Sequence, residues 1–341
     1  MNPSKSDKKN IEESKELKEI LKHSLPKILV VGVGGAGNNT VSRLMNENVN
    51  GITTIAVNTD AQDLYYCDAH KKVLIGHKLT GGLGAGNDPE IGEAAALESE
   101  EELLNIVSDA DLVFITCGLG GGTGTGAAPI IAELAKKSGA LTVSVCTLPF
   151  RAEGEKRLKN AFRGLDRIIK ASNTIIPIPN EKLLQLAPNM SLVDAFRAAD
   201  EILIRGVQGI AELITTPGLV NLDFADVRAV LEFGGFAMIG IGEGEGEKRA
   251  EIAVKRAFNN PLISTSFSQS KGALINITGN RSLKLSEADF VVKAVSSKMP
   301  RNAEIIWGAI INPTLHTQLK VTMVVSGIDT TAEIVSEESL K

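Results

Sequence analysis

Two glycine-rich segments, each directly after an apolar run, constrain the fold of this chain more than any other feature. The first follows the apolar run 28–31 and reads Gly-x-Gly-x-x-Gly over residues 32–37. The second follows the apolar run 112–116 and places six glycines within residues 118–126. A strand that ends in a glycine turn before a helix is typical of the ligand-binding edge of a parallel α/β sheet. The two segments therefore predict β-α-β units with phosphate-binding turns.

The other apolar runs of the N-terminal half continue this alternation of strand and helix. Continuous apolar runs of strand length, separated by helical stretches, imply a parallel sheet that is covered on both faces. The predicted strands are 28–31, 52–57, 112–116, 141–148 and 174–179, and helical stretches begin at Asn39, run through Ile131 and Leu134, and occupy 161–170. The predicted fold class is α/β, with a Rossmann-like parallel sheet.

A long helix is predicted over residues 191–215, where Phe196 and Leu203 belong to an apolar stripe at helical spacing and Ser191 is a suitable N-cap. This helix would form a rod between two domains. The second domain reads as a smaller α/β unit, and a short Asn-Pro turn between its last two strands indicates a mixed sheet. Its predicted strands are 236–242, 273–278, 303–311 and 319–328, with helices near 247–259 and 286–298.

The chain length also favours two units, because 341 residues exceed the usual size of one core. We expect five segments in all. They are a mobile N-terminal arm at 1–25, a nucleotide-binding domain at 26–190, a central helix with the start of the next loop at 191–221, a C-terminal α/β domain at 222–330 and a loose tail at 331–341.

Charge and cysteine content argue against several classes of protein. A net charge of -5 disfavours nucleic acid as a partner, because phosphate neutralisation needs a basic face. Cys67, Cys117 and Cys146 lack metal-binding spacing and fit a reducing compartment, so no protein metal site is expected. No apolar run approaches the roughly 20 residues that cross a bilayer, so we expect a cytoplasmic protein without direct membrane insertion.

The first glycine segment alone has two readings. It is formally the dinucleotide-binding fingerprint, with Asp60 at about the position of a ribose-binding acid, or it is a tight turn that binds nothing. The second segment favours phosphate binding, because so many glycines allow backbone N–H groups to approach an anion closely.

No Gly-Lys pair occurs in the chain, so the Walker motif is absent. Backbone dipoles, the hydroxyls of Thr123 and Thr125, and a bound Mg²⁺ are expected to balance the phosphate charge.

Six motifs in order resemble those of the tubulin/FtsZ family, in an archaeal-like form. The segment GGGTGTG at 120–126 resembles the family signature, and the resemblance covers residues 27 to about 328. The other five motifs are GVGGAGNN at 32–39, NTD at 58–60, PFRAEGEKR at 149–157, PNEKL at 179–183 and NLDFADVR at 221–228. The resemblance implies the tubulin/FtsZ fold, GTP or GDP as ligand and Mg²⁺ held mainly through the phosphates.

The resemblance also implies which residues bind the nucleotide. They are Gly34, Gly35, Ala36, Gly37, Asn38 and Asn39 in the first loop, Gly120, Gly121, Gly122, Thr123, Gly124 and Thr125 in the second, Glu153 and Arg157 at the ribose and phosphates, and Asn180, Phe196 and Asp200 at the guanine. Chemistry supports the last assignment, because a carboxylate accepts from guanine N1–H and its amine together, whereas adenine lacks that donor pair. An aromatic side chain can stack on the base. The alternative reading makes Phe196 a core residue and Asp200 a solvated charge.

Neither glycine loop supplies an evident group to orient the attacking water for hydrolysis. Asp223 and Asp226 lie just beyond the long helix, which continues for roughly 16 residues after Asp200. Those residues would span about 24 Å, so the two acids cannot reach the nucleotide that Asp200 contacts in the same chain. A second copy stacked head to tail could place them over the γ-phosphate, and such a contact does not close on itself and gives a filament. The alternative is that Asp223 and Asp226 merely cap a helix.

The resemblance implies the same interfacial arrangement, with Asn221 assisting the two acids. We therefore expect a GTP-hydrolysing cytoskeletal protein that polymerises head to tail and forms the cell-division ring at the division site. Its main partner would be itself, with room for membrane-anchor or division proteins. Two alternatives remain open at this point: a nucleotide-binding scaffold without hydrolysis, and an NAD-dependent oxidoreductase.

Overall fold

The computed structural model describes residues 25–47, 49, 51–184, 191–216, 218–220, 222–259 and 267–328. The predicted N-terminal arm, up to residue 24, and the predicted tail at 331–341 lie outside the described residues. Both therefore stay predictions, as does the division of the chain into domains.

The N-terminal part alternates strands and helices. In chain order its elements are β1 (Ile28–Val33), α1 (Gly34–Asn46), β2 (Ile52–Asn58), α2 (Ala61–Tyr66), β3 (Lys71–Leu74), α3 (His77–Thr80), α4 (Pro89–Glu98), α5 (Glu100–Val107), β4 (Leu112–Gly118), α6 (Thr123–Lys137), β5 (Leu141–Leu148), α7 (Glu155–Ala171), β6 (Thr174–Pro179) and α8 (Asn180–Leu184).

The strands of this part are all parallel and lie in the order β3-β2-β1-β4-β5-β6. This is the doubly wound order, in which the chain reverses its direction of travel across the sheet between β1 and β4. Val33, at the end of β1, pairs with Cys117 near the end of β4. The two glycine segments therefore leave the sheet side by side at the switch point, where open α/β sheets bind their ligands.

The C-terminal part extends the same sheet. Its elements are α9 (Leu192–Thr215), α10 (Phe224–Leu231), β7 (Gly235–Glu245), α11 (Arg249–Phe258), β8 (Gly272–Gly279), α12 (Leu285–Ser296), β9 (Glu304–Ile311) and β10 (Gln318–Ile328).

The mixed sheet predicted for this part is confirmed. Strand β7 continues the parallel sheet through a short pairing with β6, and β10 runs antiparallel between β7 and β8. Strand β9 pairs in parallel with β8, so the ten strands of the described residues form one sheet in the order β3-β2-β1-β4-β5-β6-β7-β10-β8-β9. The two last strands are consecutive in sequence and are not neighbours in the sheet.

Apolar layers on both faces explain why the central strands are continuously hydrophobic. On one face the sheet packs against residues such as Ile131 of α6, Ile168 of α7 and Val291 of α12. On the other face it packs against α1, α10 and the long helix α9, which contributes Leu203 and Val207 among others. The predicted α/β fold class is confirmed by these layers.

Two helix starts test the local predictions. Helix α9 begins at Leu192, and the Ser191 hydroxyl accepts from the N–H of Asp194, as the predicted N-cap requires. Helix α1 begins at Gly34, so the prediction that it starts at Asn39 is wrong by five residues. The glycines of the first loop form the first helical turn, whose N–H groups have no partner within the helix.

The buried guanidinium of Arg249 links α11 to α12, to the loop before α12 and to the loop before β10. Arg249 is 6% exposed and forms a bidentate ion pair with Glu287, with N–O distances of 2.7 and 2.9 Å. It also donates to the backbone carbonyls of Ser282 and Thr317. The Arg249 hydrogen bond lowers the pKa of Glu287 below its ordinary value of 4.5, although partial burial acts against this effect. One side chain therefore stabilises three segments of the C-terminal part.

We expect Arg249→Met to lower the free energy of unfolding by about 3 kcal/mol, because it leaves a half-buried carboxylate unpaired. The loss should shrink as the pH falls through the lowered pKa of Glu287, since the ion pair stabilises the fold only while that carboxyl is ionised. Urea unfolding monitored by the fluorescence of Trp307, the single tryptophan, measures both effects. Lys293→Met, which breaks the exposed pair with Asp289, is the control and should cost less than about 1 kcal/mol. Equal losses in the two variants would contradict the prediction.

Candidate functional site

A cavity of about 510 Å³ opens at the switch point, where β1 and β4 end. The first and second glycine loops, a third loop at 83–87 and the segment after β5 form its walls. The lining residues that were predicted from the sequence to bind the nucleotide are Gly34, Gly35, Ala36, Gly121, Gly122, Thr123, Gly124, Glu153, Arg157 and Asn180. The structure therefore brings most of the predicted binding residues into one site.

The two predicted glycine loops pack directly on each other. A Cβ on Gly34, which has a φ of +72°, would lie 2.9 Å from the backbone N of Gly124. A Cβ on Gly124 would lie 2.7 Å from the carbonyl oxygen of Gly118, and one on Gly118 would lie 2.7 Å from Cβ of Ala36. Several of these glycines are thus required by the contact between backbones, which adds a structural reason to the anion binding expected from the sequence.

The third loop was not identified from the sequence as part of the site. Leu83, Gly84, Ala85, Gly86 and Asn87 line the cavity. Gly84, Gly86 and Asn87 have positive φ, and Asn87 is the one non-glycine residue with positive φ in the described part of the chain. The run of glycines at 81, 82, 84 and 86 was the signal that could have revealed the loop.

The hydroxyls of the second loop have different surroundings. Thr123 lines the cavity, and its hydroxyl shares a buried hydrogen bond of 2.6 Å with the Thr59 hydroxyl. The Thr125 hydroxyl accepts from the backbone N–H of Gly120 at 2.8 Å, and neither of these two residues lines the cavity. Within the loop, Thr123 therefore borders the cavity, whereas Thr125 holds the turn in shape.

Buried polar atoms around the cavity fit a polar ligand. Among the described residues, both amide atoms of Asn38, Nδ2 of Asn58 and Oδ1 of Asn180 are buried without a hydrogen-bond partner. Asn58 and Asn180 line the cavity directly. Because buried polar groups are nearly always paired in folded proteins, these atoms indicate that the site is built to receive hydrogen bonds from outside the chain.

An ion pair borders the cavity opposite the first loop. Arg157 pairs with Glu153, and the other oxygen of Glu153 accepts from the N–H of Phe150 at 2.9 Å. The backbone of Arg157 approaches the second loop, since its carbonyl oxygen lies 2.9 Å from the Cβ position of Gly120. Arg157 therefore lines the cavity next to the second loop, with its guanidinium paired to Glu153.

Asp200 packs against α1 and is not among the residues that line the cavity. Its carboxylate is 3.3 Å from Arg43 and accepts from the Thr40 hydroxyl at 3.5 Å. Burial raises the pKa of Asp200 from 3.8 to about 6, while Arg43 and Thr40 act in the opposite direction. Asp200 is therefore not the solvated charge of the alternative interpretation.

The predicted binding residues Gly37 and Asn38 are buried in α1, and Asn39 is exposed there. Phe196 belongs to α9, and its side chain lies outside the described residues.

The predicted catalytic acids form a capping box at the start of α10. The Asp223 carboxylate accepts from the N–H of Asp226 at 2.9 Å, and the Asp226 carboxylate accepts from the N–H of Asp223 at 3.2 Å. The two acids therefore cap the helix, as the alternative interpretation expected. Each carboxylate also has a second oxygen that takes no part in these two hydrogen bonds. Asn221, the third predicted catalytic residue, lies outside the described residues.

Helix α10 lies at the edge of the sheet opposite to the cavity. Arg228 of α10 donates to the carbonyl of Gly139, just before β5 begins, whereas Thr147 at the other end of β5 lines the cavity. Strand β5 has eight residues and spans about 25 Å. Asp223 and Asp226 are thus brought together with each other and are not brought to the cavity of the same chain.

The described part of the chain has neither a membrane-spanning helix nor a cluster of metal-binding side chains of its own. None of its helices is both long and apolar enough to cross a membrane. No group of three or more His, Cys, Asp or Glu side chains in it could hold a metal ion.

Comparisons with known proteins match nearly the whole chain. Residues 27–188 match the family model described as Tubulin/FtsZ family, GTPase domain, and residues 235–329 match FtsZ family, C-terminal domain. Cell division protein FtsZ 1 of Pyrococcus abyssi is 58% identical over 92% of this chain and 84% of that protein. The counterpart of the same name in Thermococcus kodakarensis is 54% identical over 95% of this chain and 86% of that protein.

Solved structures give the same picture. The empty FtsZ dimer of M. jannaschii superposes with a TM-score of 0.88 at 55% identity, over 93% of this chain and 92% of that chain. CetZ2 from Haloferax volcanii, at 23% identity and a TM-score of 0.78, shares the fold over 92% of this chain and 96% of that chain.

We expect Gly124→Ala to destabilise the protein by at least about 2 kcal/mol, since its Cβ would clash with two backbone carbonyls of the neighbouring segments. Gly121→Ala, in the same loop, should cost about 1 kcal/mol or less, because its Cβ would find its nearest neighbour at 3.7 Å. Thermal unfolding of the ligand-free protein compares the two. If both variants unfold at the same temperature, the packing role of Gly124 is wrong.

Proposed function

Because this chain belongs to the tubulin/FtsZ family and carries its GTPase domain, we propose that it hydrolyses GTP and polymerises head to tail into filaments that form the cell-division ring. The observation that carries the proposal is the meeting of both glycine loops in one cavity at the switch point. The proposed location is the cytoplasm at the division site, where membrane-anchor or division proteins would be further partners.

Nucleotide binding is supported by the donors around the cavity. The first turns of α1 and α6 begin at the two loops, so their unpaired N–H groups and helix dipoles favour a phosphate. Thr123 adds a hydroxyl and Arg157 adds a guanidinium. Mg²⁺, which the family implies, would supply positive charge between the phosphates and fits a site with the carboxylates Asp60 and Asp63 on its wall.

Preference for guanine is supported by Asp200 and Asn180. A carboxylate paired with Arg43 is ionised near neutral pH and can accept from both guanine donors. The buried, unpartnered Oδ1 of Asn180 is a further acceptor for a base N–H. An adenine base lacks the N1–H donor and would leave at least one of these acceptors unsatisfied, and an unpaired buried polar group costs about 1–3 kcal/mol.

Hydrolysis is proposed to require two copies of the chain. The predicted catalytic acids Asp223 and Asp226 are not among the described residues that line the cavity of their own chain. Asp223 and Asp226 lie at the far edge of the sheet, so a copy stacked on the cavity could present their free carboxylate oxygens to the attacking water. The contact uses different surfaces on the two copies and therefore propagates into a filament.

The other functional classes find less support. An NAD-dependent oxidoreductase was favoured by Asp60, whose carboxylate instead caps α2 by accepting from Gln62 and Asp63. The family model that matches this part is also that of a GTPase domain. A scaffold that binds GTP without hydrolysis differs from the proposal only in turnover, which the next experiment measures.

We expect Asp226→Asn to bind GTP with less than about a twofold change and to lose at least about 100-fold in turnover, because it removes charge at the completed site while keeping an acceptor for the cap. Isothermal titration with GTPγS gives the affinity, and phosphate release above the assembly threshold gives the rate. Glu232→Gln, at the other end of α10, is the control and should retain the wild-type rate. Turnover that is unchanged in Asp226→Asn, or independent of protein concentration in the wild type, would contradict hydrolysis between subunits.

We expect the GTP affinity of the wild type, relative to that of Asp200→Asn, to fall by about tenfold as the pH drops from 7 to 5. The carboxylate must be ionised to accept from guanine, and its pKa is about 6. Dividing the GTP affinity of the wild type by that of the variant cancels the effect of phosphate titration, because both proteins bind the same nucleotide. The ligand-free fold should show the opposite trend and lose stability as the pH rises through about 6, because a raised carboxyl pKa favours the protonated native state. A flat affinity ratio would contradict the role of Asp200.

A further inference from the structure

A smaller cavity of about 300 Å³, which we call the side cavity, lies next to the cavity at the switch point. Residues of α4 and α7 line it, together with Thr125 of the second loop. Asn87 of the third loop lines both cavities. The two cavities therefore share a wall at the place where the second and third loops meet.

Long hydrogen bonds hold this wall together. Nδ2 of Asn160, on α7, donates to the backbone carbonyl of Asn87 at 3.4 Å and to that of Gly120 at 3.5 Å. Both distances exceed the usual N–H···O range of about 2.7–3.2 Å, so these bonds are weak. On the other side of the wall, Oδ1 of Asn87 lies 3.7 Å from the Cβ position of Gly121, where no side chain fills the gap. A small movement of the Asn160 side chain would therefore open the wall.

Basic side chains continue along α7 from one cavity to the other. Arg157 lines the cavity at the switch point, whereas Lys156, Arg163 and Arg167 line the side cavity. Arg167 is neutralised by Glu93 of α4, which it meets at 2.5 Å. Lys156 and Arg163 are exposed, and neither forms an ion pair with a described residue. The α7 side of the side cavity thus offers two cations to an anion.

The charge balance also differs between the two cavities. Among the described lining residues, three acidic side chains and one basic side chain border the cavity at the switch point. Three of each border the side cavity, and its acids Asp88 and Glu90 lie at the start of α4, away from the cations of α7. A free phosphate dianion is therefore repelled less strongly in the side cavity than in the larger one.

Hydrolysis in the proposed filament produces such a dianion in a covered place. Attack of water on the γ-phosphorus breaks its bond to the oxygen shared with the β-phosphate, and GDP, inorganic phosphate and a proton result. The next copy of the chain covers the cavity at the switch point at that moment, because it supplies the catalytic acids. Inorganic phosphate therefore needs a way out that does not cross the contact between copies.

We propose that inorganic phosphate leaves through the side cavity, with Asn160 as the gate and with Lys156 and Arg163 as the cations that attract it. The route runs between the second and third loops, so it stays open to solvent while the filament is intact. This inference rests on the proposed function, because phosphate forms only if GTP is cleaved.

The first test follows the wild type after GTP is mixed with protein above the assembly threshold. Acid quenching gives the GDP formed, a fluorescently labelled phosphate-binding protein gives the free phosphate, and light scattering gives the extent of assembly. We expect free phosphate to follow GDP formation while the scattering is constant. Phosphate that appears only as the scattering falls would show that it leaves through the contact between copies, and would overturn the proposal.

The second test reverses the charges of the exit. In the double variant Lys156→Glu, Arg163→Glu we expect GDP formation in the first turnover to keep its wild-type rate and phosphate release to become at least about tenfold slower, since two attractive charges become repulsive. Thermal unfolding checks that the fold is intact. Lys159→Glu is the matched control, because Lys159 is exposed on the same helix and lines neither cavity. Release that keeps pace with cleavage in the double variant would overturn the proposal.

The third test removes the gate. Asn160→Ala, added to the double variant, should make phosphate release at least about threefold faster than in the double variant, because it deletes both hydrogen bonds of the wall. Unchanged release would contradict the gate. The outcomes also separate this inference from the proposed function, because a wild-type protein that forms no GDP would overturn the proposed function itself. GDP formation with phosphate release through the contact between copies would overturn the exit alone.

Discussion

The contact between two backbone loops at the switch point determines the rest of the site. Gly34, Gly118 and Gly124 meet at distances where a side chain would not fit, so the loops after β1 and β4 are pressed against each other. This contact fixes the directions of the first N–H groups of α1 and α6 before any ligand arrives. Such preorganisation is valuable for binding a phosphate, because little conformational entropy is left to lose. The glycines are therefore needed for packing, and in the proposed GTP site they would serve phosphate binding as well.

One continuous sheet relates this site to the opposite end of the molecule. Strand β6 pairs with β7, so the parallel part and the mixed part share a single hydrogen-bonded frame. Helix α9 packs on one face of that frame, with Asp200 in its N-terminal half and the segment leading to Asp223 after its end. The cavity and the capping box at α10 thus lie at fixed positions on opposite edges. Under the proposed function, these two places would be the two parts of one site, which a second copy would join.

The sequence predicted the fold well where local signals agreed with each other. Strands 141–148 and 174–179 have the predicted limits, because long apolar runs in a parallel sheet are bounded by polar turns. The family was also predicted correctly from six ordered motifs. The start of α1 was misplaced because glycine has low helix propensity, and tertiary packing against the second loop overrode that preference. The third loop was missed because its glycines follow a short helix rather than an apolar strand.

The capping box at Asp223 and Asp226 shows why a structural role and a catalytic role need not be alternatives. Each carboxylate uses one oxygen to accept a backbone N–H, and this hydrogen bond restricts the rotation of the side chain. An acid that must position a water for a neighbouring subunit benefits from being held still, because misplacement by about 1 Å can cost as much as 100-fold in rate. The cap also satisfies the N-terminus of α10 without a ligand, so the acids keep their geometry in the free monomer. In the proposed head-to-tail contact, the helix start would therefore hold these oxygens in place before the contact forms.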